Sequence, residues 1–319
     1  MRSTIAALLA CVTAIAASSA HAQQFPVQPI KIVVPTAPGG IADQMARILA
    51  QKLTESGKTV VVENRTGAGG TIAADAVAKS PPDGYTLYMG FHGTQSILPH
   101  LMKLTFDPAK DFAPISLIAA SSNVLVVHPA VPAQSVRELV AYAKANPGKL
   151  SYASQGTGSS GHLAGEQFKQ AAGIDLAHVP YRGAAPALQD LLAGQVSIMF
   201  DIVPLTKEQL AAGRVRALAV TAKERLAVLP DVPTMAEAGM PVEGGPWFGL
   251  LAPAATPRAV VEWLNAETTK AFSAPDVRDR LVSQGLALPL GSPEDFANHI
   301  AAETKRWGDV IRTAGIKIE

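Results

Sequence analysis

One cysteine, Cys11, occurs in 319 residues, aromatic side chains make up 5 %, and 27 basic residues nearly balance 26 acidic ones with the histidines neutral. Each scarcity excludes something. A single thiol leaves no internal disulfide framework and no cysteine-ligated metal centre. A balanced charge without a basic stripe offers no purchase to nucleic acid or to an anionic membrane surface. Beyond the first 22 residues, no apolar run approaches the roughly 20 residues that a membrane-spanning helix needs. The later histidines, His92, His100, His128, His162, His178 and His299, lack metal-ligand spacing, so no metal is expected.

What is present begins with an export signal. Arg2 supplies the positive start, Ile5 to Ala17 the short apolar segment, and Ala20-His21-Ala22 an A-x-A cleavage site. Cleavage after Ala22 starts the mature chain at Gln23 and removes both Cys11 and Arg2. Lipoprotein processing at Cys11, after Leu8-Leu9-Ala10, would shorten the apolar segment sharply and bypass the better site downstream. The expectation is a periplasmic protein of about two domains, with no direct membrane insertion.

Three strands, the first two rich in β-branched residues, run into glycine-rich turns that open helices: Ile30 to Pro35 before Ala37-Pro38-Gly39-Gly40, Thr59 to Asn64 before Thr66 to Gly70, and Ser151 to Ser154 before Gly156 to Gly161. Such turns leave backbone N–H groups unpaired at helix N-termini, where anions bind. Strand and helix signals alternate through Tyr85 to Phe91, Phe112 to Ala119, Asn123 to Pro129, Leu176 to Tyr181, Ser197 to Asp201 and Val215 to Ala222, which implies parallel sheets covered by helices. Beyond these, Pro246 to Pro253 is a lone strand among three helical stretches and is expected to return to the first sheet. The predicted organisation is therefore a signal at 1–22, a discontinuous first lobe at 23–121 and 226–319, a second lobe at 122–225, and hinge linkers near 120–122 and 222–225.

Gly156, Gly158 and Gly161 satisfy G-x-G-x-x-G between a strand and a helix. The acidic residue that should end the next strand and bind a ribose is missing, since Tyr181-Arg182 stand there, so neither a dinucleotide nor another cofactor is expected. Ser159 and Ser160 near His162 lack the G-x-S-x-G pattern of a nucleophile elbow, and no catalytic residue is assigned. The serines suit helix capping and donation to an anion. His92, His162 and Arg182 are pocket candidates by position, whereas Asp43 and Asp201 would repel a carboxylate and suit a water, an ammonium group or a neighbouring backbone N–H.

With those residues in place, the chain resembles the Bug-type solute-binding proteins of tripartite tricarboxylate transporters. The resemblance runs from Pro29 to Glu319 through PGGIAD (38–43), VVVENRTGAGG (60–70), DGYTL (83–87), YAKANPGKLSYAS (142–154), HVPYRG (178–183), LPDVPT (229–234) and AGIK (314–317). It implies a two-lobed α/β, Venus-flytrap fold, each lobe a mostly parallel sheet flanked by helices, closing as a monomer on a small carboxylate. By motif position it implies ligand contacts at Ala37, Gly39, Gly40, Asp43, Gly93, Thr94, Ser154, Gly156, Thr157, Gly158, Tyr181, Ala185 and Asp201, to which the residues themselves add His92, Ser159, His162 and Arg182. It further implies delivery to membrane transporter subunits; a sensor feeding a membrane signalling protein would use the same pocket. One departure is Thr36-Ala37, where many relatives carry an aromatic residue before the PGG turn, while Phe91-His92 offers an aromatic or ionisable wall instead.

Overall fold

The computed structural model describes residues 25–316 apart from Arg182. The signal segment and its cleavage site, Lys317 and Arg182 lie outside the described residues. Among the described residues, ten strands form two five-stranded sheets. The first holds β1 (Ile30–Val34), β2 (Val60–Asn64), β3 (Thr86–Phe91), β4 (Phe112–Ala120) and β10 (Trp247–Pro253) in the order β2-β1-β3-β10-β4. The second holds β5 (Asn123–Val127), β6 (Ser151–Ser154), β7 (Ala177–Pro180), β8 (Ile198–Ile202) and β9 (Arg216–Val220) in the order β7-β6-β8-β5-β9. In each sheet one strand runs against the others: β10 pairs antiparallel with β3 and β4, and β5 with β8 and β9. The lone late strand therefore does return to the first sheet.

Helices cover both faces. On the first sheet, α1 (Ile41–Glu55) puts Ala42, Met45, Ala46, Ile48, Leu49 and Leu53 on one buried stripe at helical spacing. That stripe joins Ile30, Ile32, Leu87, Met89 and Leu250 in one core. The other face is packed by α2 (Thr71–Ala78), where Val33, Tyr88, Trp247 and Phe296 bury together. On the second sheet, α3 (Val136–Ala145) is capped by Ser135, and the Glu138 carboxylate accepts from the Gln134 N–H, one residue earlier than a capping box would place it. α4 (Ser160–Ala172), α5 (Ala184–Leu192) and α6 (Val203–Ala211) complete that lobe.

α7 (Arg258–Ser273), α8 (Pro275–Ser283) and α9 (Pro293–Ala314) follow β10. The long α9 starts with a Ser292–Asp295 capping box and crosses the seam, where Trp307 and Ile311 pack with Ile97 and with Leu163 of α4. Residues 226–242 do not pack with the first sheet as the sequence suggested. Leu226, Val228, Leu229 and Val232 sit against one core of the second sheet, and Met235 and Val242 lie within the other. The Val220–Thr234 bridge fixes this stretch there, which moves the second crossing to 243–246.

Candidate functional site

The turn between β1 and α1 is held from inside. Gly39 takes a left-handed φ of 88°, which only glycine adopts freely. Its N–H donates to Asp43 Oδ2 at 2.9 Å, Arg47 Nε donates to the same oxygen at 2.8 Å, and Asn64 Nδ2 donates both to Asp43 Oδ1 and to the Thr36 carbonyl at 2.9 Å. Burial alone would raise the pKa of Asp43, but the bonds from Arg47, Gly39 and Asn64 outweigh it and hold the carboxyl below its ordinary range. Asp43 is only 2 % exposed. The structure thus gives it a bracing role, and the Gly39 N–H is spent on it. What stays open is the N-terminus of α1, where no side chain caps the helix behind Gly40 and the exposed Ala37.

The segment after β3 is a π-helical turn, Gly93–Ile97. Gly93 and Thr94 are buried, and Thr94 Oγ1 pairs with the Tyr88 hydroxyl at 2.9 Å. His92 is 6 % exposed; burial first, and the Arg306 charge second, push its pKa down to about 3. The ionisable wall expected here is a neutral core side chain. Phe91 remains at the turn, against the α-carbons of Gly70 and Gly93.

On the second sheet, Ser154 Oγ lies 2.7 Å from His178 Nε2 and accepts the Gly156 N–H at 3.2 Å. The Gly158 N–H donates to His162 Nδ1 at 3.1 Å, and Ser159 Oγ caps α4 by accepting the His162 N–H. The N–H groups of Gly156 and Gly158, expected as ligand donors, are therefore consumed within the turn. Thr157 is its exposed member. Gly161 lets α4 approach the sheet, since an added Cβ would lie 2.3 Å from the Phe200 carbonyl oxygen.

Around this turn, Tyr181 donates its hydroxyl to Asp190 at 2.6 Å, and Ala185 is exposed in the uncapped first turn of α5. Asp201 is fully buried, with Oδ1 accepting from Gln155 Nε2 at 3.1 Å and Oδ2 without a partner. Burial pushes its pKa up to about 7.

The C-terminal ends of β1, β2 and β3 gather Ala37, Gly39, Gly40, Asp43, Gly93 and Thr94, with His92 behind them. Those of β6, β7 and β8 gather Ser154 to Ser159, His162, Tyr181, Ala185 and Asp201. The two groups meet where Gly158 approaches Leu101, Ile97 and Leu98. Sequence reasoning did not assign Asn64, Gln155 or His178, which build the turns. Asn64 carried a weak signal as a polar residue ending an apolar strand; His178 carried none. Among the described residues no cluster of histidine, aspartate and glutamate could hold a metal, and no helix is long and apolar enough to cross a membrane.

Two sheets of one strand order, with glycine-rich helix starts meeting across a seam, define a two-lobed solute-binding protein. Residues 41–316 match the model of the tripartite tricarboxylate transporter family receptors, and the chain belongs to that family, TctC, one of solute-binding receptors and not of enzymes. It is 37 % identical to BugT of Bordetella pertussis over 96 % of this chain and 95 % of that protein. Among solved structures it is similar to a protein from R. palustris with adipate, at 40 % identity and TM-score 0.84, covering 92 % of this chain and 99 % of that one. It is also similar to MatC from Rhodopseudomonas palustris with bound malate, at 37 % identity and TM-score 0.80, covering 90 % and 100 %.

Proposed function

We propose that the protein is a periplasmic receptor, exported with cleavage after Ala22, which takes a small organic carboxylate into the cleft between its lobes and delivers it to a tripartite tricarboxylate-type transporter. The lobes divide as 25–120 with 247–316 and as 123–242, joined through 121–122 and 243–246. The observation that carries this reading is the pair of uncapped helix N-termini, α1 on one side and α5 on the other. Each presents first-turn N–H groups and the positive end of its dipole, which suits a ligand carrying a carboxylate at each end. The relatives solved with adipate and malate hold ligands of that kind.

One carboxylate docks on the α1 terminus, and the second lobe closes with Thr157, Tyr181, Arg182 and the α5 terminus. Charge-assisted hydrogen bonds contribute about 1.5–3 kcal/mol each, so four or five support a micromolar complex of about −8 kcal/mol after ordering costs. No lysine clamp is required. The receptor acts as a monomer.

Calorimetry of the chain from Gln23 with adipate, malate, tricarboxylates, acidic amino acids and aromatic acids tests the reading. Saturable binding of at least one is expected. Ile41→Pro removes one donor at the α1 terminus, at a position where helices accept proline and after a Gly40 already extended at ψ 166°. It should weaken the complex by about tenfold or more. Folded, ligand-free protein that binds none of these acids would sink the proposal.

A further inference from the structure

The second-sheet turn hangs on two imidazoles. His162 is 5 % exposed and tied twice, through its N–H to Ser159 Oγ and through Nδ1 to the Gly158 N–H. Its ring stacks on His178 at 4.1 Å and 15°, and His178 stacks in turn on Tyr152 at 4.8 Å and 22°. His178 reaches Gly156 through Ser154. Both ends of the turn are thus fastened to one aromatic stack in the lobe interior, and the fastening at Gly158 needs a neutral acceptor nitrogen on His162. Because Nδ1 of His162 accepts, its proton sits on Nε2.

We infer that His162, backed by His178, is a positioning residue that sets the shape of the Gly156–Ser159 turn and releases that shape in acid. The inference rests on the reading of this turn as one wall of the carboxylate site. A proton on His162 Nδ1 would replace an acceptor by a donor facing the Gly158 N–H, and turning that N–H away means changing the turn's backbone at Gly158, which stands at φ 79°. It would also set a cation against the His178 ring.

Of the charged groups facing the pair, Glu166 favours that cation and Lys169 opposes it, and burial outweighs Glu166. Tyr152 and Ser154 come from β6, Gly158 from the turn, and Glu166 and Lys169 from α4 itself. Glu166 is already bonded to the Tyr152 hydroxyl at 2.6 Å and to Lys169 at 3.0 Å. Across the seam the neighbours of adjacent Leu163 are apolar: Ile97, Trp307 and Ile311. Burial accordingly holds both imidazoles below their ordinary range, His178 at about 4.

The test has two arms. In the ligand-free protein, nitrogen NMR should find His162 Nδ1 unprotonated at about pH 7.5, and the Gly158 amide should shift along the His162 titration as pH falls to about 4. In calorimetry with adipate or malate, wild-type affinity should fall at least about tenfold over that range beyond the titration of the ligand itself. His162→Asn, whose amide oxygen replaces Nδ1 as acceptor without titrating, should keep affinity within about threefold at neutral pH and lose the extra acid sensitivity. His162→Leu, checked for folding by circular dichroism, should bind about tenfold more weakly at every pH.

A protonated Nδ1, a Gly158 amide indifferent to the His162 titration, or a shared pH profile for wild type and His162→Asn overturns the inference. If none of the acids binds, the NMR arm still decides the role of His162, and only the carboxylate reading fails.

Discussion

The turn after β1 and the turn after β6 hold the same place in two sheets of one strand order, yet they are fastened by different chemistry. In the first lobe an ionised, almost buried carboxylate gathers the Gly39 N–H, the Asn64 amide and the Arg47 guanidinium. In the second lobe neutral imidazoles and a serine do the equivalent work for Gly156 and Gly158. A carboxylate brace survives until strong acid, whereas an imidazole brace fails once its acceptor nitrogen takes a proton. The helix ends differ too: α1 and α5 have no side-chain cap, while α4 is closed by Ser159. Topology alone does not dictate how such a turn is braced.

The contrast breaks most visibly at the glycines. Gly161→Ala places a Cβ 2.3 Å from the Phe200 carbonyl oxygen and 2.5 Å from Gln155 Oε1, so it should cost about 3 kcal/mol in urea unfolding. Gly40→Ala, with φ −74° and its nearest contact the Thr36 hydroxyl at 3.3 Å, should cost less than about 1 kcal/mol. Equal losses would mean that the two turns are packed alike.

The aspartates come next. Asp43→Ala strands the Gly39 and Asn64 donors and should cost about 2–3 kcal/mol at neutral pH. Its folded pKa is depressed, so the stability it confers is present above the unfolded value of about 3.9 and disappears as pH falls through the folded value. A loss that stayed constant into strong acid would contradict that brace.

Asp201 has the opposite sign. With a folded pKa of about 7, it ionises first in the unfolded chain, so wild-type stability should decline as pH rises from about 4 to about 7. Asp201→Asn should remove that decline, a difference on the order of 2 kcal/mol between urea titrations at the two ends of the window. Parallel pH curves for wild type and variant would show that Asp201 titrates normally.

Strands such as Ile30 to Pro35 and Asn123 to Pro129 were legible because a β-branched or apolar run ends in proline, and β10 could be placed because one strand cannot form a sheet by itself. α6 was missed: it follows β8 without a break, and its segment VPLTKEQLA carries neither a cap nor a clear apolar stripe. Residues 226–242 were misassigned because their turns resemble a linker, and only the packing of Val228, Val232 and Met235 shows where they belong. At the site, sequence located the turns but not the direction of their donors. That His178 backs His162 depends on β6, β7 and α4 coming together, which no local pattern encodes. That Thr94 is spent on Tyr88 depends on a π turn with no sequence signature of its own.

The reversed strand β10 also imposes an order of assembly. It sits between β3 and β4, so the first sheet stays split until residue 253 has emerged from the ribosome or from a membrane channel. The second sheet, by contrast, is complete once β9 has appeared, and its covering segment ends at 242. A chain delivered from its N-terminus therefore finishes its second lobe first, while the open edges of β3 and β4 wait for a partner from the far end.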